Sequence, residues 1–303
     1  MKILLVADEP GWIFERHCKE IQKRLTKHKV DIAFRKENIR AMQDKYDVIY
    51  VLDPIPLKHG YPDHKKTILG LRCEFLHQEH PNGPKGLYED GFPGRCAAIK
   101  PNCSAFHVVN KNMYNLFEPI VDKPFFLAQH GVDEEVFNKY RYDNTARDVK
   151  DFDLRVGVAG RLTNNKGGHI ILDAIKNIGV KLVAAQYGKA KLSKEDMPSF
   201  YQNIDIYVCM SKSEGHNNPV MEAGGMGVPV ISSRCGSAEE IINDGENGFL
   251  IERNAEALRE KILFLKNNWD ERHRMGHELY NTVMNGWTWE NRIVDFEKMF
   301  ESI

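Results

Sequence analysis

Short apolar runs alternate along the chain with segments in which apolar residues recur every three or four positions. The first pattern is typical of buried parallel strands and the second of amphipathic helices, so together they predict an α/β protein with parallel sheets. Strands are predicted at residues 2–7, 30–34, 47–52, 105–110 and 125–129 of the first half, and at 154–159, 181–185, 205–210 and 228–232 of the second.

Helices are predicted between these strands. Phe14, Cys18, Ile21 and Leu25 share one face of a helix over residues 13–29. Further helices are predicted at residues 168–177, 255–267 and 271–284, with an amphipathic helix at the end of the chain. Residues 138–153 are charged and poor in apolar side chains, which predicts a linker between the two halves.

Two glutamates stand out in the segment SKSEGHNNPVMEAGGMGVPVISS. Glu214 lies in the loop after a predicted strand, and Glu222 lies about one turn inside a helix capped by Asn218 and begun by Pro219. Free N–H groups and a partial positive charge at such a helix start suit a diphosphate. One carboxylate could then reach a sugar while the other reaches a ribose.

A second candidate group lies in the loop after the strand at residues 154–159. Arg161 and Lys166 flank a polar turn there, with Gly160 and Gly167 beside them. A guanidinium and an ammonium held in one place can stabilise the charge of a departing nucleoside diphosphate. The alternative is an ordinary pair of solvated cations.

These motifs resemble the donor-binding region of retaining glycosyltransferases of family 4. The resemblance rests on the two glutamates, the Pro219 helix start, GVPVI, VGVAGRLTNNKGG, GVDEEVF and GSAEEIINDGENGFLI, in the family's order. It implies the GT-B fold, with two Rossmann-like domains whose parallel sheets face a cleft. Residues 1–145 would form the acceptor-side domain, 146–285 the donor-binding domain, and 286–303 a helix that packs back on the first domain.

The resemblance also assigns roles. Arg161 and Lys166 match the family's diphosphate-binding cations, and Glu214 matches the residue that contacts the transferred sugar; these three would be catalytic. Further donor-binding positions are expected at Gly160, Glu222, Gly215, His216, Asn217, Asn218, Pro219 and Gly11. The alternatives are a helix-dipole partner for Glu222, an exposed loop carboxylate for Glu214 and a simple tight turn at Gly11.

Some positions depart from the family pattern. Relatives commonly have an aromatic and a small residue where this chain has His216 and Asn217, so the identity of the donor's sugar stays open. Relatives also have another strand–helix unit where this chain has only residues 186–203, so the identity of the donor's base stays open as well. Where a histidine often faces the donor sugar, this chain has Arg72, with His77, His80 and His107 nearby. Arg72 and His130 are therefore candidates for residues that face the donor. The alternatives are that Arg72 lies on the surface and that His130 only makes local hydrogen bonds.

Composition narrows the class. The net charge of −1 argues against a nucleic-acid-binding protein, and no apolar run approaches the length of a membrane span. The six cysteines form no CxxC pair, which favours free thiols in a reducing cytoplasm. Neither a GxGxxG fingerprint nor clustered carboxylates with metal-ligand spacing occur, so no cofactor and no metal are expected.

The predicted helix at 13–29 suggests one further partner. It carries six cationic side chains beside two aromatic residues, Trp12 and Phe14: Arg16, Lys19, Lys23, Arg24, Lys27 and Lys29. Such a face could rest on the inner surface of an anionic membrane, while the alternative is an ordinary solvated helix face.

The sequence therefore predicts a retaining, metal-independent hexosyltransferase. Its donor would be a nucleotide-diphosphate sugar, and its acceptor a glycan, a lipid-linked saccharide or a small molecule, as in polysaccharide or glycolipid biosynthesis. The alternatives are a non-catalytic nucleotide-sugar-binding subunit and a GT-B epimerase or phosphorylase.

Overall fold

The computed structural model describes residues 1–53, 57–72, 102–138, 154–185 and 192–303. They form two compact units, one made of Met1–His130 with Trp289–Ile303 and the other of Gly131–Thr288. The predicted domain boundary at residue 145 and nearly all of the predicted linker lie outside the described residues. Each unit is built around a parallel sheet, which confirms the predicted fold class.

The first unit contains a six-stranded parallel sheet in the order β2-β1-β3-β4-β5-β6. Its strands are β1 Lys2–Ala7, β2 Lys29–Phe34, β3 Val48–Val51, β4 Thr67–Leu71, β5 Ala105–Val108 and β6 Phe125–Leu127. Its helices up to residue 130 are α1 Ile13–Arg24, α2 Ile39–Met42 and α3 Lys111–Phe117. The central strands are buried on both faces, as their unbroken apolar runs require.

The second unit contains a five-stranded parallel sheet in the order β11-β10-β9-β7-β8. Its strands are β7 Leu154–Ala159, β8 Val180–Ala185, β9 Ile206–Cys209, β10 Val230–Ser233 and β11 Phe249–Ile251. Its helices are α4 Gly168–Ala174, α5 Met197–Gln202, α6 Asn218–Gly225, α7 Ala238–Ile241, α8 Ala255–Asn267 and α9 Trp269–Gly286.

The last helix, α10 Trp289–Glu301, packs on the first unit, as predicted. Trp289, Phe296 and Phe300 are buried in one core cluster with Tyr50 of β3. The helix begins three residues later than the predicted segment 286–303, because Thr288 and the residues before it pack with the second unit. Val132 there donates its N–H to the Trp287 carbonyl at 2.7 Å.

The predicted helix at 13–29 is too long. Helix α1 ends at Arg24, because buried Leu25 begins the turn into β2, and Lys29 is the first residue of that strand. Several of its cations are paired: Lys19 lies 2.8 Å from Glu15, Arg24 lies 2.5 Å from Glu20 and Lys27 lies 3.2 Å from Glu297. These ion pairs neutralise much of the predicted basic face.

Removing the Phe296 ring should destabilise the first unit strongly. We expect Phe296→Ala to lower the free energy of unfolding by about 3–5 kcal/mol, since the ring is fully buried against the sheet. Val294 lies on the same helix but is 43% exposed, so Val294→Ala should stay within about 0.5 kcal/mol. Urea denaturation followed by circular dichroism measures both. Equal effects of the two changes would show that α10 does not dock through this face.

Candidate functional site

A cavity lies where β7 and β9 end in the second unit. The unfilled space there is about 400 Å³ when the open solvent at the mouth is included. The lining includes five predicted site residues: Arg161, Lys166, Glu214, Asn217 and Pro219. Carboxyl ends of adjacent parallel strands share one edge of a sheet, and the following loops build binding sites there. The fold therefore brings together the two motifs that the sequence separates.

Glycine allows the first of these loops to lie close to β9. Gly167 has a φ of +68°, and a Cβ at this position would lie 2.4 Å from the Met210 carbonyl oxygen. A larger residue would both strain the backbone and push the loop away from β9. Gly160, at the start of the loop, has a φ of +95° and donates its N–H to the Ala185 carbonyl at 2.8 Å.

Arg253 fastens the same loop to the end of β9. Its Nε donates to the Met210 carbonyl at 2.9 Å, and its Nη2 donates to the Asn164 carbonyl at 2.5 Å. The Lys212 N–H adds a bond of 2.8 Å to the Asn165 carbonyl. The sequence analysis missed Arg253, since an arginine after a closing strand carries no motif of its own.

The Lys166 ammonium pairs with the Glu214 carboxylate, which also accepts the Ser211 hydroxyl at 2.7 Å. Burial lowers the pKa of Lys166, but the charge and hydrogen bond of Glu214 more than offset this, so the net pKa is raised and the lysine stays charged. The Arg161 side chain is exposed at the cavity and makes no hydrogen bond or ion pair with any other described residue, although the Arg161 carbonyl accepts the Thr163 N–H at 2.8 Å. The cavity thus holds one paired and one free cation.

The helix beside the cavity begins one residue earlier than predicted. Asn218 is the first residue of α6, and Asn217, not Asn218, occupies the capping position. The expected free N–H groups are engaged within the protein. Asn217 donates to the Ser237 hydroxyl, Asn218 to the His216 carbonyl and Val220 to the Asn217 carbonyl, each at 3.0 Å. This helix start therefore offers its dipole, but those three donors would have to be shared with a ligand.

Glu222 is half-buried one turn into α6 and is not part of the cavity lining. Its Oε2 accepts the hydroxyl of Tyr201, which α5 supplies, at 2.8 Å. The sequence analysis missed Tyr201 because nothing in an isolated aromatic residue shows which carboxylate it will meet. His216 follows Gly215 in the loop, and its Nε2 lies 3.2 Å from the Met221 sulfur.

The remaining candidates belong to the first unit. Gly11 has a φ of +79° and donates its N–H to Glu15 at 2.5 Å, which closes the turn into α1. Arg72 is buried, contrary to the surface alternative, and donates to the Leu52 carbonyl, the Tyr50 hydroxyl and His130. All three of its nitrogens are thus used inside the unit.

The histidines near Arg72 are packed. His130 lies 2.9 Å from Arg72, and its ring centroid lies 3.7 Å from that of His17. His107 is fully buried between the Tyr50 hydroxyl and the Ala128 carbonyl, both at 2.7 Å. Burial and the Arg72 charge lower the pKa of His107, which keeps its ring neutral. His77 and His80 lie outside the described residues.

One group among the described residues has the composition of a metal site. His28, Glu297 and Glu301 of the first unit bring their ligand atoms within 4.8 Å of one another. The His28 Nε2 lies 3.7 Å from a carboxylate oxygen of Glu297 and 3.5 Å from one of Glu301. Among all the residues that the structure describes, no helix is long and apolar enough to cross a bilayer.

Residues 187–282, which include β9, α6 and the two glutamates, match the sequence model of the family described as glycosyl transferases group 1. An uncharacterized glycosyltransferase of Methanocaldococcus jannaschii is 28% identical over 64% of this chain and 58% of its own length. The capsular polysaccharide biosynthesis glycosyltransferase CapM of Staphylococcus aureus is 27% identical over 55% and 52%. The chain thus spans about half the length of these curated relatives.

Solved structures match nearly the whole chain. Sucrose-phosphate synthase from Thermosynechococcus elongatus superposes with a TM-score of 0.75 and 14% identity, over 100% of this chain and 98% of its own. Anabaena HepE, solved in complex with UDP and glucose, gives a TM-score of 0.74 and 14% identity over 100% of both chains. The chain therefore has the GT-B glycosyltransferase fold, and residues 187–282 of its second unit match the glycosyl transferases group 1 model.

Proposed function

We propose that the chain is a retaining, metal-independent glycosyltransferase that uses a nucleotide-diphosphate sugar, as the resemblance to family 4 implies. The observation that carries this is the cavity at the ends of β7 and β9, where Arg161 has no partner among the described residues and Lys166 stands beside Glu214. A free guanidinium at a strand-end cavity suits a bound diphosphate. The family match, which covers the loop after β9 with Glu214 but not the loop with Arg161 and Lys166, supports this proposal.

The chemistry follows from the charges. When the bond between the sugar and the diphosphate breaks, negative charge grows on the leaving group, and Arg161 and Lys166 stabilise it. The sugar becomes oxocarbenium-like, and the Glu214 carboxylate contacts it while also remaining paired with Lys166. The acceptor hydroxyl attacks from the face that the diphosphate leaves, and a donor phosphate oxygen takes its proton.

A UDP-sugar is the first donor to test, since HepE was solved with UDP and glucose. A glycan or lipid-linked saccharide is the proposed acceptor, in keeping with the name of CapM. Peripheral membrane contact through α1 is not part of the proposal. At least three of the six cations predicted for that surface are held in ion pairs with carboxylates of the same unit.

The decisive experiment compares UDP, GDP and their sugars as ligands and donors. A thermal-shift screen identifies the nucleotide, since a ligand at 100 times its Kd adds about 2.7 kcal/mol of stability. NMR of the released sugar or product then gives its anomeric configuration. Binding with neither transfer nor slow hydrolysis would indicate a non-catalytic subunit. An inverted anomeric carbon would contradict the retaining mechanism. A changed configuration at another ring carbon would indicate an epimerase, and the yellow band of bound pyridoxal phosphate a phosphorylase.

Glu222→Gln should weaken nucleotide binding. We expect a loss of about 1.5–3 kcal/mol, because the ribose hydroxyls lose a charged acceptor. Tyr201→Phe is the matched control, since it removes the 2.8 Å bond to Glu222 and keeps the carboxylate. Calorimetry with the preferred nucleoside diphosphate measures both variants. If both variants lose stability but bind the nucleotide normally, Glu222 only holds α5 to α6.

Arg161→Ala should lower turnover more than it weakens substrate binding. The charge that Arg161 meets grows as the bond breaks, and one such stabiliser is worth about 2.7–4 kcal/mol. Arg259 of α8, a half-buried arginine outside the cavity lining that donates to the Asp173 carbonyl, is the control, and Arg259→Ala should leave kcat within about twofold. A rise in KM at constant kcat would show that Arg161 merely holds the donor.

Transfer should continue in excess EDTA, because Arg161 and Lys166 can neutralise the leaving diphosphate without an ion. A variant with His28→Gln serves as control, since His28 belongs to the one metal-like group of the described residues. Loss of activity in EDTA, with rescue by Mg²⁺ or Mn²⁺ in both proteins, would contradict a metal-independent mechanism.

A further inference from the structure

Two thiols meet beside the donor cavity. Cys209 is the last residue of β9 and lines the cavity, while Cys235 is buried just after β10. These strands are neighbours, with Cys209 opposite Ser232, so their ends lie side by side. The two thiols interact, since each shifts the pKa of the other.

The Asn217 side chain joins both sulfurs. Its Nδ2 donates to Cys209 at 3.6 Å and to Cys235 at 3.5 Å. The Ser233 hydroxyl adds a contact of 3.6 Å to Cys235. Donors directed at sulfur stabilise its anionic form, which is the reactive form of a cysteine.

The pKa values of Cys209 and Cys235 are shifted in opposite directions. The hydrogen bond from Cys235 lowers the pKa of Cys209, and Lys166 adds to this against the opposing effects of burial and Glu214. The same hydrogen bond and burial raise the pKa of Cys235. Cys18, buried in the first unit, shows the ordinary behaviour, since burial raises its pKa. Cys209 is therefore the nucleophile, and Cys235 holds a proton.

We propose that Cys209 and Cys235 form a reversible disulfide when a hydroperoxide reaches the cavity, and that the disulfide disables donor binding. The Cys209 thiolate attacks the peroxide, the O–O bond breaks, and sulfenic acid forms with release of water once a proton is taken up. The Cys235 sulfur then attacks the sulfenic sulfur and releases a second water. Overall, two thiols and H₂O₂ give one disulfide and two waters.

The disulfide affects the cavity through Asn217. Closing it brings the two sulfurs, which lie 3.6 and 3.5 Å from the Asn217 Nδ2, to covalent distance and removes the thiolate that the Asn217 amide stabilises. Asn217 occupies the N-cap position of α6 without a side-chain cap bond and lies between Glu214 and Pro219, so the donor-binding loop shifts with it. This second step rests on the proposed function, whereas formation of the disulfide does not.

The test treats the full chain with H₂O₂, with no ligand present, and then alkylates the remaining free thiols. Peptide mapping should find residues 209 and 235 cross-linked and the link cleaved by dithiothreitol, while Cys18 and Cys103 stay reduced. Cys235→Ser should give no link and should accumulate sulfenic acid on Cys209, detected with a dimedone probe. The matched Cys103→Ser should cross-link like the wild type.

Donor binding is measured on the same samples. The affinity for UDP or GDP, whichever stabilises the reduced protein, should fall roughly tenfold on oxidation and return on reduction, since small displacements of binding loops have effects of this size or larger. The proposal is overturned if both thiols remain alkylatable, or if the cross-linked protein binds as tightly as the reduced one. If the reduced protein binds no nucleotide, the proposed function fails and donor control fails with it, while the peptide map still decides the disulfide.

Discussion

Parallel strand pairing is the constraint on which the site depends. The paired strands in both sheets are parallel, so the chain has to cross back over the sheet between one strand and the next. The carboxyl ends of all strands in a sheet therefore lie at one edge. The loop after β7 and the loop after β9 therefore meet, although about 50 residues separate them in the chain. Without this pairing, Arg161, Lys166 and Glu214 would have no reason to share a cavity.

Within that edge, the approach of the two loops is set by Gly167 and by bonds to backbone carbonyls more than by the ion pair of Lys166 and Glu214. Gly167 leaves room for the Met210 carbonyl, and Arg253 bonds that same carbonyl and the loop on the other side. With the two loops held in this way, the Lys166 side chain reaches the Glu214 carboxylate from its own loop. The ion pair fixes both ends before any donor arrives, which lowers the ordering cost of binding but requires the sugar to share Glu214.

Sequence reasoning succeeded where a period or a motif carries the physics. The strand at residues 154–159 and the helix at 255–267 have the predicted bounds, because their apolar periods are unbroken and an Asn254 cap marks the helix start. It failed at helix ends, as at Arg24 and Asn218, where capping depends on the turn that follows. It also missed Arg253 and Tyr201, since their partners are backbone or side-chain atoms that only the folded chain brings near.

The contrast between Arg72 and Arg161 shows why residue type alone could not assign the site. Both are arginines after a parallel strand of a Rossmann-like unit. Arg72 is buried, and all its nitrogens donate to neutral partners, so its charge fixes the positions of Tyr50 and His130. Arg161 is exposed beside an open cavity, and its guanidinium bonds to no other described residue. A buried guanidinium has to donate to neighbouring groups of the protein, because leaving its donors without acceptors would cost free energy. Exposure at a strand end leaves the same group available to a ligand, and this difference, which no sequence motif encodes, is what separates the two.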